Sequence, residues 1–575
     1  MQLVCKNCGA TLKLVDRTHA VCPYCGQTFL IDEARGVLVD LSISYDDNAV
    51  TRRKMRNVKW LLLIFLLVGA FFAAMIFAYN IAAKNSKFSA SDLYTQTEEN
   101  GQILRVFCKD IFGKEYRDIT KEEFAQIKYI RYAYAREDND SLMAIHYSFT
   151  NYEDCASEEE FLDTIQVWTY QSDGMLWPSD FTMFTGLTRI NMENSIWLSQ
   201  LRFSKKAPIS YVQADDTIET ISKVVNPEYV KILHIKNGQL EKIDRFPNLV
   251  ELTYDTNLTY QTMDISELEN CTKLKYLYLN NVNGYTGYDA LGNLKELETL
   301  YVSNLRLSQC DFLSELPQLK ELIIAAGENA DLTVLTKMPH LRKLIFMDNE
   351  YVAPEELAKL QCLTELEELE VNVDNEEAFR VLQKFKNLKV LSVDGCFGTI
   401  MAFEDYTFDI SIFCQLPALE KLVFDNWHET NIIGIEKLLS HPQFYSLQIG
   451  SRSGQCHTLL LDETALIDNP SMTDIRLLNC VPVDIATEEE IGFEFLTHYS
   501  NLQKLYIEEC ELENIAFISD LTDLRICSLR ENKISNFSAL QACKKLEALD
   551  VYDNPYIEIG LPEEIILNDY TEDLW

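Results

Sequence analysis

The stretch LETLYVSNLRLSQCDFLSELPQLKELIIAAGENADLTVLTKMPHLRKLIFMDN, residues 297–349, carries one apolar frame three times. LETLYV begins at Leu297, LKELII at Leu319 and LRKLIF at Leu341, so the frame returns every 22 residues with apolar side chains at its positions 1, 4 and 6. Positions 4 and 6 lie on one face of a strand and position 5 on the other, because strand side chains alternate with a period of two. A strand this short cannot stand alone. The period therefore predicts units that each lay down one strand, turn, and return along the far side, so that stacked neighbours close a shared core.

Working outward, the frame recurs as LKYLYL from Leu274, LEELEV from Leu366, LKVLSV from Leu388, LEKLVF from Leu419, LQKLYI from Leu502 and LEALDV from Leu546, with weaker copies from Val230, Leu249, Phe444, Met472 and Leu524. Asn349, Asn532 and Asn554 stand at position 9, where a buried amide satisfies the backbone groups of a turn. Cys396, Cys480 and Cys510 fill the same slot as small core residues. Between Leu388 and Leu502 the intervals lengthen to 31, 25, 28 and 30 residues, which predicts loops or extra helical turns. These units are leucine-rich repeats. The stretch ENKISNFSALQACKKLEALDVYDNPYIEI, residues 531–559, resembles the 22-residue repeats of bacterial internalin-like surface proteins. That resemblance implies an α/β solenoid with a curved parallel sheet over residues 228–560.

Solenoid ends must be covered. Residues 84–227 are expected to form a juxtamembrane segment and an N-terminal cap, and residues 561–575 a C-terminal cap or tail. Within the cap, Thr120 and Glu123 carry a capping signal for a short helix leading into a strand, LMAIHYSF alternates as a strand, and Leu187, Ile190 and Met192 read as a degenerate rung.

At the other end of the chain Cys5 and Cys8 form one pair and Cys22 and Cys25 a second, with thirteen residues between the pairs. Four thiolates so arranged suit tetrahedral Zn2+, and the joining segment is long enough for a hairpin. Residues 1–35 are thus expected to be a zinc ribbon, in which the metal supplies most of the folding free energy. The segment resembles the short N-terminal zinc ribbons of many bacterial proteins. His19 reads as an exposed hairpin residue.

After a basic linker, residues 36–59, the segment Trp60–Ala83 holds twenty-four residues without a charge, about 36 Å of helix and enough for one membrane span. Arg52, Arg53, Lys54, Arg56 and Lys59 precede it, and only Lys84 and Lys87 follow closely. The positive-inside bias puts the ribbon in the cytoplasm and the solenoid outside. Zinc thiolates also need a reducing compartment, so two independent arguments give one topology. Small residues at Gly69, Ala70, Ala73, Ala74 and Ala78 offer a homodimer contact through the span.

Charge and motifs restrict the function. The chain has a net charge of −38, and the residues from Trp60 onward hold 42 basic against 83 acidic side chains, or −41. That surplus tells against nucleic-acid binding by the solenoid; it keeps a large surface soluble or favours basic partners. No glycine-rich phosphate loop, HExxH or GxSxG occurs, the histidines are dispersed, and GSRSG at Gly450 reads as a loop, so an enzyme is not expected. Sixteen cysteines, twelve of them scattered after the ribbon, read mostly as reduced core fillers. Position 5 of successive units gives Tyr278, Tyr301, Ile323 and Ile345 in a row, with Tyr276 and Met347 beside them. This apolar stripe is the expected contact for a protein or peptide on the concave face. The leading reading is a non-catalytic, membrane-anchored surface protein for adhesion or envelope recognition. The alternative is a transmembrane sensor that relays external binding to the zinc ribbon.

Overall fold

The computed structural model describes residues 13–14, 19–21, 28–32, 37–40 and 566–567, and residues 103–555 apart from 135–141, 172–179, 193–197, 237–239, 257–261, 282, 328–329, 348–350, 374, 396–405, 426–429 and 451–455. Cys5, Cys8, Cys22, Cys25, Trp60–Ala83, Asn349 and Cys396 lie outside the described residues. Among the described residues no helix is long and apolar enough to cross a membrane. The chain divides into two compact units, Met1–Glu98 and Glu99–Trp575.

In the first unit Lys13–Leu14 pairs antiparallel with Ala20–Val21, between the two cysteine pairs. Thr28–Asp32 then joins His19–Val21 on one side and Val37–Asp40 on the other, so a four-stranded antiparallel sheet runs to Asp40.

The second unit is built on one long parallel ladder. Its strands follow the repeat in order, through Ile232–Lys236, Glu251–Thr256, Tyr276–Asn281, Thr299–Arg306, Glu321–Ala325, Lys343–Phe346 and Glu368–Val373, and on to Ile566–Leu567. The pairings run from Gln166–Gln171 at one end to Ile566–Leu567 at the other, and among the described residues none joins these two strands. Leu297, Leu300 and Val302, with their equivalents Leu319, Leu322 and Ile324, are at most 1% exposed, as positions 1, 4 and 6 require. Burying each such side chain contributes about 2 kcal/mol. The return path is short 3-10 helix, as at Tyr288–Asn293, Asp311–Glu315 and Leu332–Lys337. A parallel sheet closed behind by these turns, with leucines filling the space between, is a leucine-rich-repeat solenoid.

Position 9 shows how neighbouring turns are locked. The buried Asn532 amide donates to the carbonyls of Ile507 (2.7 Å), Leu529 (2.9 Å) and Arg530 (3.1 Å). Its oxygen accepts from the backbone N–H groups of Cys510 (3.1 Å) and Leu512 (3.0 Å). One rung on, Asn554 donates to Leu529 (2.8 Å) and accepts from Ile534 (3.0 Å). One rung back, the Cys510 thiol accepts from the Cys480 N–H at 3.3 Å. Cys108, Cys271, Cys310, Cys480, Cys510, Cys527 and Cys543 are buried thiols, whereas Cys362 is exposed.

At the N-terminal end, Thr120 and Glu123 form a capping box on the helix Lys121–Phe124, which leads into the strand Tyr129–Tyr134. That strand, the first of the ladder, also pairs antiparallel with Leu142–Ser148, and this in turn with Gln166–Gln171. A helix over 103–112 sets Phe107 edge-on against Tyr147 (5.3 Å), Trp168 (5.5 Å) and Phe184 (6.4 Å). The ladder extends further back than residue 228, however. The rung read at Leu187, Ile190 and Met192 is the parallel strand Arg189–Met192, and a second rung, Tyr211–Ala214, also lies inside the segment read as cap. The second escapes a leucine pattern because Ile209, Val212 and Ala214 occupy its core positions.

The longer units differ from expectation in kind. A helix does form at Ile435–Leu439, but much of the added length is strand: Tyr406–Asp409, Thr430–Ile433, His457–Leu461 and Cys480–Asp484 make a second parallel sheet. Alternation explains it, since His457, Leu459 and Leu461 are buried and Thr458 and Leu460 are not.

Candidate functional site on the outward sheet face

Residues at the same position of successive units become direct neighbours across the ladder. The position-5 row runs His234, Thr253, Tyr278, Tyr301, Ile323, Ile345, Glu370, Ser392, Val423, Gln448, Arg476, Tyr506, Ser528, Asp550, each in register with the next. Within it the Tyr278 and Tyr301 rings stack at 4.0 Å between centroids with 11° between planes. Strands about 4.8 Å apart leave flat side chains in one row little alternative. Burial, together with the neighbouring Tyr301, holds the Tyr278 phenol far above its usual range. Ile323 and Ile345 continue the row, all four side chains being half-buried.

Tyr276 and Met347 flank this row and do not join it. Tyr276 lies in the position-3 row between Glu251 and Thr299. Met347 follows the strand Lys343–Phe346, its N–H bonded to the Ile324 carbonyl at 2.9 Å, and its side chain is exposed. Farther along, the row is not the solvated face that position 5 implies. Arg476, Tyr506, Ser528 and Asp550 are all buried, the largest exposure among them being 9%. Three of them are covered by their neighbours: the Arg476 guanidinium lies 4.4 Å over the Tyr506 ring and is held by Asp474 at 3.1 and 3.2 Å, and Arg530 reaches Asp550 at 3.4 Å.

Sequence reasoning passed over the residues before the tyrosine stack. Thr253, a short side chain, sits in register beside Tyr278, with Glu251 and Asp255 two positions to either side on the same strand. His234 bonds Glu251 at 2.8 Å through Nε2 and the Tyr211 hydroxyl at 3.2 Å through Nδ1, while Asn280 donates to Asp255 at 3.0 Å. The signal was present in the row alignment, which the search for apolar side chains alone did not use. Position 2 likewise forms a ladder of alternating charge, in which Lys275 and Lys320 both bind Glu298 and Lys389 binds Glu367 at 3.0 Å. Among the described residues no group of three or more His, Cys, Asp or Glu side chains could hold a metal ion.

The parallel ladder and its repeating core define a leucine-rich-repeat fold. A scan of family models matches none, and a search of the curated proteins finds no match. Among solved structures the chain is similar to an internalin of Listeria monocytogenes, at 21% identity over 56% of this chain and 87% of that one, with a TM-score of 0.39. It is also similar to a leucine-rich-repeat protein of Leptospira interrogans, at 16% identity over 57% and 85% of the two chains and a TM-score of 0.33. The mouse RP105/MD-1 complex is another, at 15% identity over 68% and 66%, with a TM-score of 0.38.

Proposed function

We propose that this chain is a non-catalytic, single-pass membrane-anchored surface protein whose extracellular solenoid binds a protein or peptide at the row Tyr278, Tyr301, Ile323 and Ile345. The observation that carries the reading is the tyrosine stack: flat aromatic area and two β-branched side chains lie contiguous on an outward sheet face, the composition that anchors protein interfaces. Tyr276 and Met347 border the contact. The asymmetry of Arg52, Arg53, Lys54, Arg56 and Lys59 against Lys84 and Lys87 supports a cytoplasmic N-terminus. The four thiols of Cys5, Cys8, Cys22 and Cys25 suit zinc as a donor set, and a hairpin lies between the two pairs, so they would hold the ion and close the ribbon around it.

The test is partner capture by the full chain in detergent, comparing wild type with the double variant Tyr278→Ser, Tyr301→Ser. Capture should fall at least tenfold. Because the rings are only half-buried, unfolding stability should drop by about 1–2 kcal/mol, from lost stacking and partial burial. Undiminished capture refutes the site. Sidedness is tested separately by protease on intact cells, which should cleave the solenoid and spare the ribbon.

A further inference from the structure

At two places in the ladder the guanidinium of an arginine lies on the ring of a tyrosine in register with it. Arg189 pairs across the ladder with Tyr211 and lies 3.9 Å from its centroid, with Tyr152 on the other side at 4.1 Å. Arg476 pairs with Tyr506 and lies over it at 4.4 Å, while Asp474, two residues earlier on the same strand, takes the guanidinium with both oxygens. This geometry follows from strand spacing. A cation rising from one strand stands at van der Waals height over the flat side chain of the next, and a carboxylate two positions along the strand lies on the same face.

The same arrangement recurs at Tyr278 without its cation. Tyr278 stands where Tyr506 stands, and Glu251, two residues before Thr253, stands where Asp474 stands. Thr253 occupies the slot of Arg476 and is too short to cover the ring. Asp255, on the other side of Thr253, adds a second carboxylate where the Arg476 strand has Leu478. The other ring face is closed by Tyr301. A half-buried ring with only a threonine beside it, flanked by two carboxylates of which His234 engages one at 2.8 Å and Asn280 the other at 3.0 Å, is complementary to a positive side chain that takes their remaining acceptor capacity.

We propose that the slot above Thr253 receives an arginine or lysine side chain of the bound protein, seated on the outer face of Tyr278 between Glu251 and Asp255. The inference rests on the docking row proposed above and gives its partner a chemistry: a basic segment whose cation takes the place that Arg476 takes from within the chain. The neighbouring apolar contacts at Tyr301, Ile323 and Ile345 then fall to the residues that follow the cation in the partner.

The probe is a fluorescein-labelled hexapeptide of alternating arginine and serine, titrated by anisotropy against the full chain in detergent. Its control is the same peptide with citrulline for arginine, which keeps the shape and removes the charge. The arginine peptide should bind at least tenfold more tightly than the citrulline peptide. Thr253→Arg, which fills the slot from within, should weaken the arginine peptide at least tenfold while the melting temperature is held or rises. Glu251→Gln should weaken it about fivefold. Equal binding of the two peptides, or unchanged binding by T253R, overturns the proposal. The two readings separate with the natural partner. If T253R captures it normally while the double serine variant does not, the docking row stands and the cation slot fails; if neither variant affects capture, both fail.

Discussion

Replacing Asn532 with alanine should loosen the C-terminal rungs more than any surface change of similar size. The side chain is 5% exposed, and its two amide protons are shared among the carbonyls of Ile507, Leu529 and Arg530, while its oxygen takes the N–H groups of Cys510 and Leu512. Two donated and two accepted bonds, at a net value of about 1 kcal/mol each, give a loss of about 4 kcal/mol; alanine supplies no partner to the groups left behind. Cysteine in the same place should cost roughly half as much, since a thiol accepts one N–H and donates one proton. The chain already shows this arrangement one rung earlier, where the Cys510 sulfur takes the Cys480 N–H at 3.3 Å and lies 3.3 Å from the Leu477 carbonyl. Repeat arrays open locally, so the assay is hydrogen exchange at the Cys510 and Leu512 amides, with urea unfolding followed by circular dichroism alongside. A loss of about 4 kcal/mol lowers protection about a thousandfold. Protection within tenfold of wild type in Asn532→Ala, or equal losses in the alanine and cysteine variants, would refute the idea that this amide ties the turns together.

Three other outcomes are expected. Glu436 is buried with one carboxylate oxygen lacking a partner, and burial raises its pKa above the usual carboxylate value. The folded chain therefore keeps this proton to higher pH than the unfolded chain. Stability from the protonated form is fully present below the unfolded pKa and is lost as pH rises through the folded one. Glu436→Gln should remove that decline and stabilise the chain at pH 7; denaturation midpoints measured across pH that differ from wild type by a constant would contradict it. Iodoacetamide should modify exposed Cys362 first. Cys480 and Cys510 should react only on unfolding, because burial pushes the Cys510 thiol up to about 12 and Cys480 well above its usual value; mass spectrometry of partly labelled chains reads the order. Finally, the purified chain should carry zinc that Cys22→Ser releases, measured as metal content, with circular dichroism of the solenoid unchanged.

The repeat alignment made the sheet legible because it specifies neighbours as well as strands. Once Leu277, Leu300 and Leu322 share a position, Tyr278 and Tyr301 must meet across the ladder, and they do. What the alignment lacks is any account of reach. It treats Thr253 and Arg476 alike as outward residues, yet Arg476 is long enough to fold over Tyr506 and exclude water from both, whereas the ring beside Thr253 is only half-buried. It also follows leucine too closely: the rung at Tyr211–Ala214 is built on isoleucine, valine and alanine, and the second sheet arises where units lengthen and the frame no longer repeats. Exposure on such a face is therefore a property of adjacent pairs. A tyrosine is covered when its row neighbour lays a cation over it, as at Tyr506, and stays half-buried when that neighbour is short, as at Tyr278. The test of that statement is to exchange the neighbours: Arg476→Thr should expose the Tyr506 ring to solvent, just as Thr253→Arg should cover Tyr278.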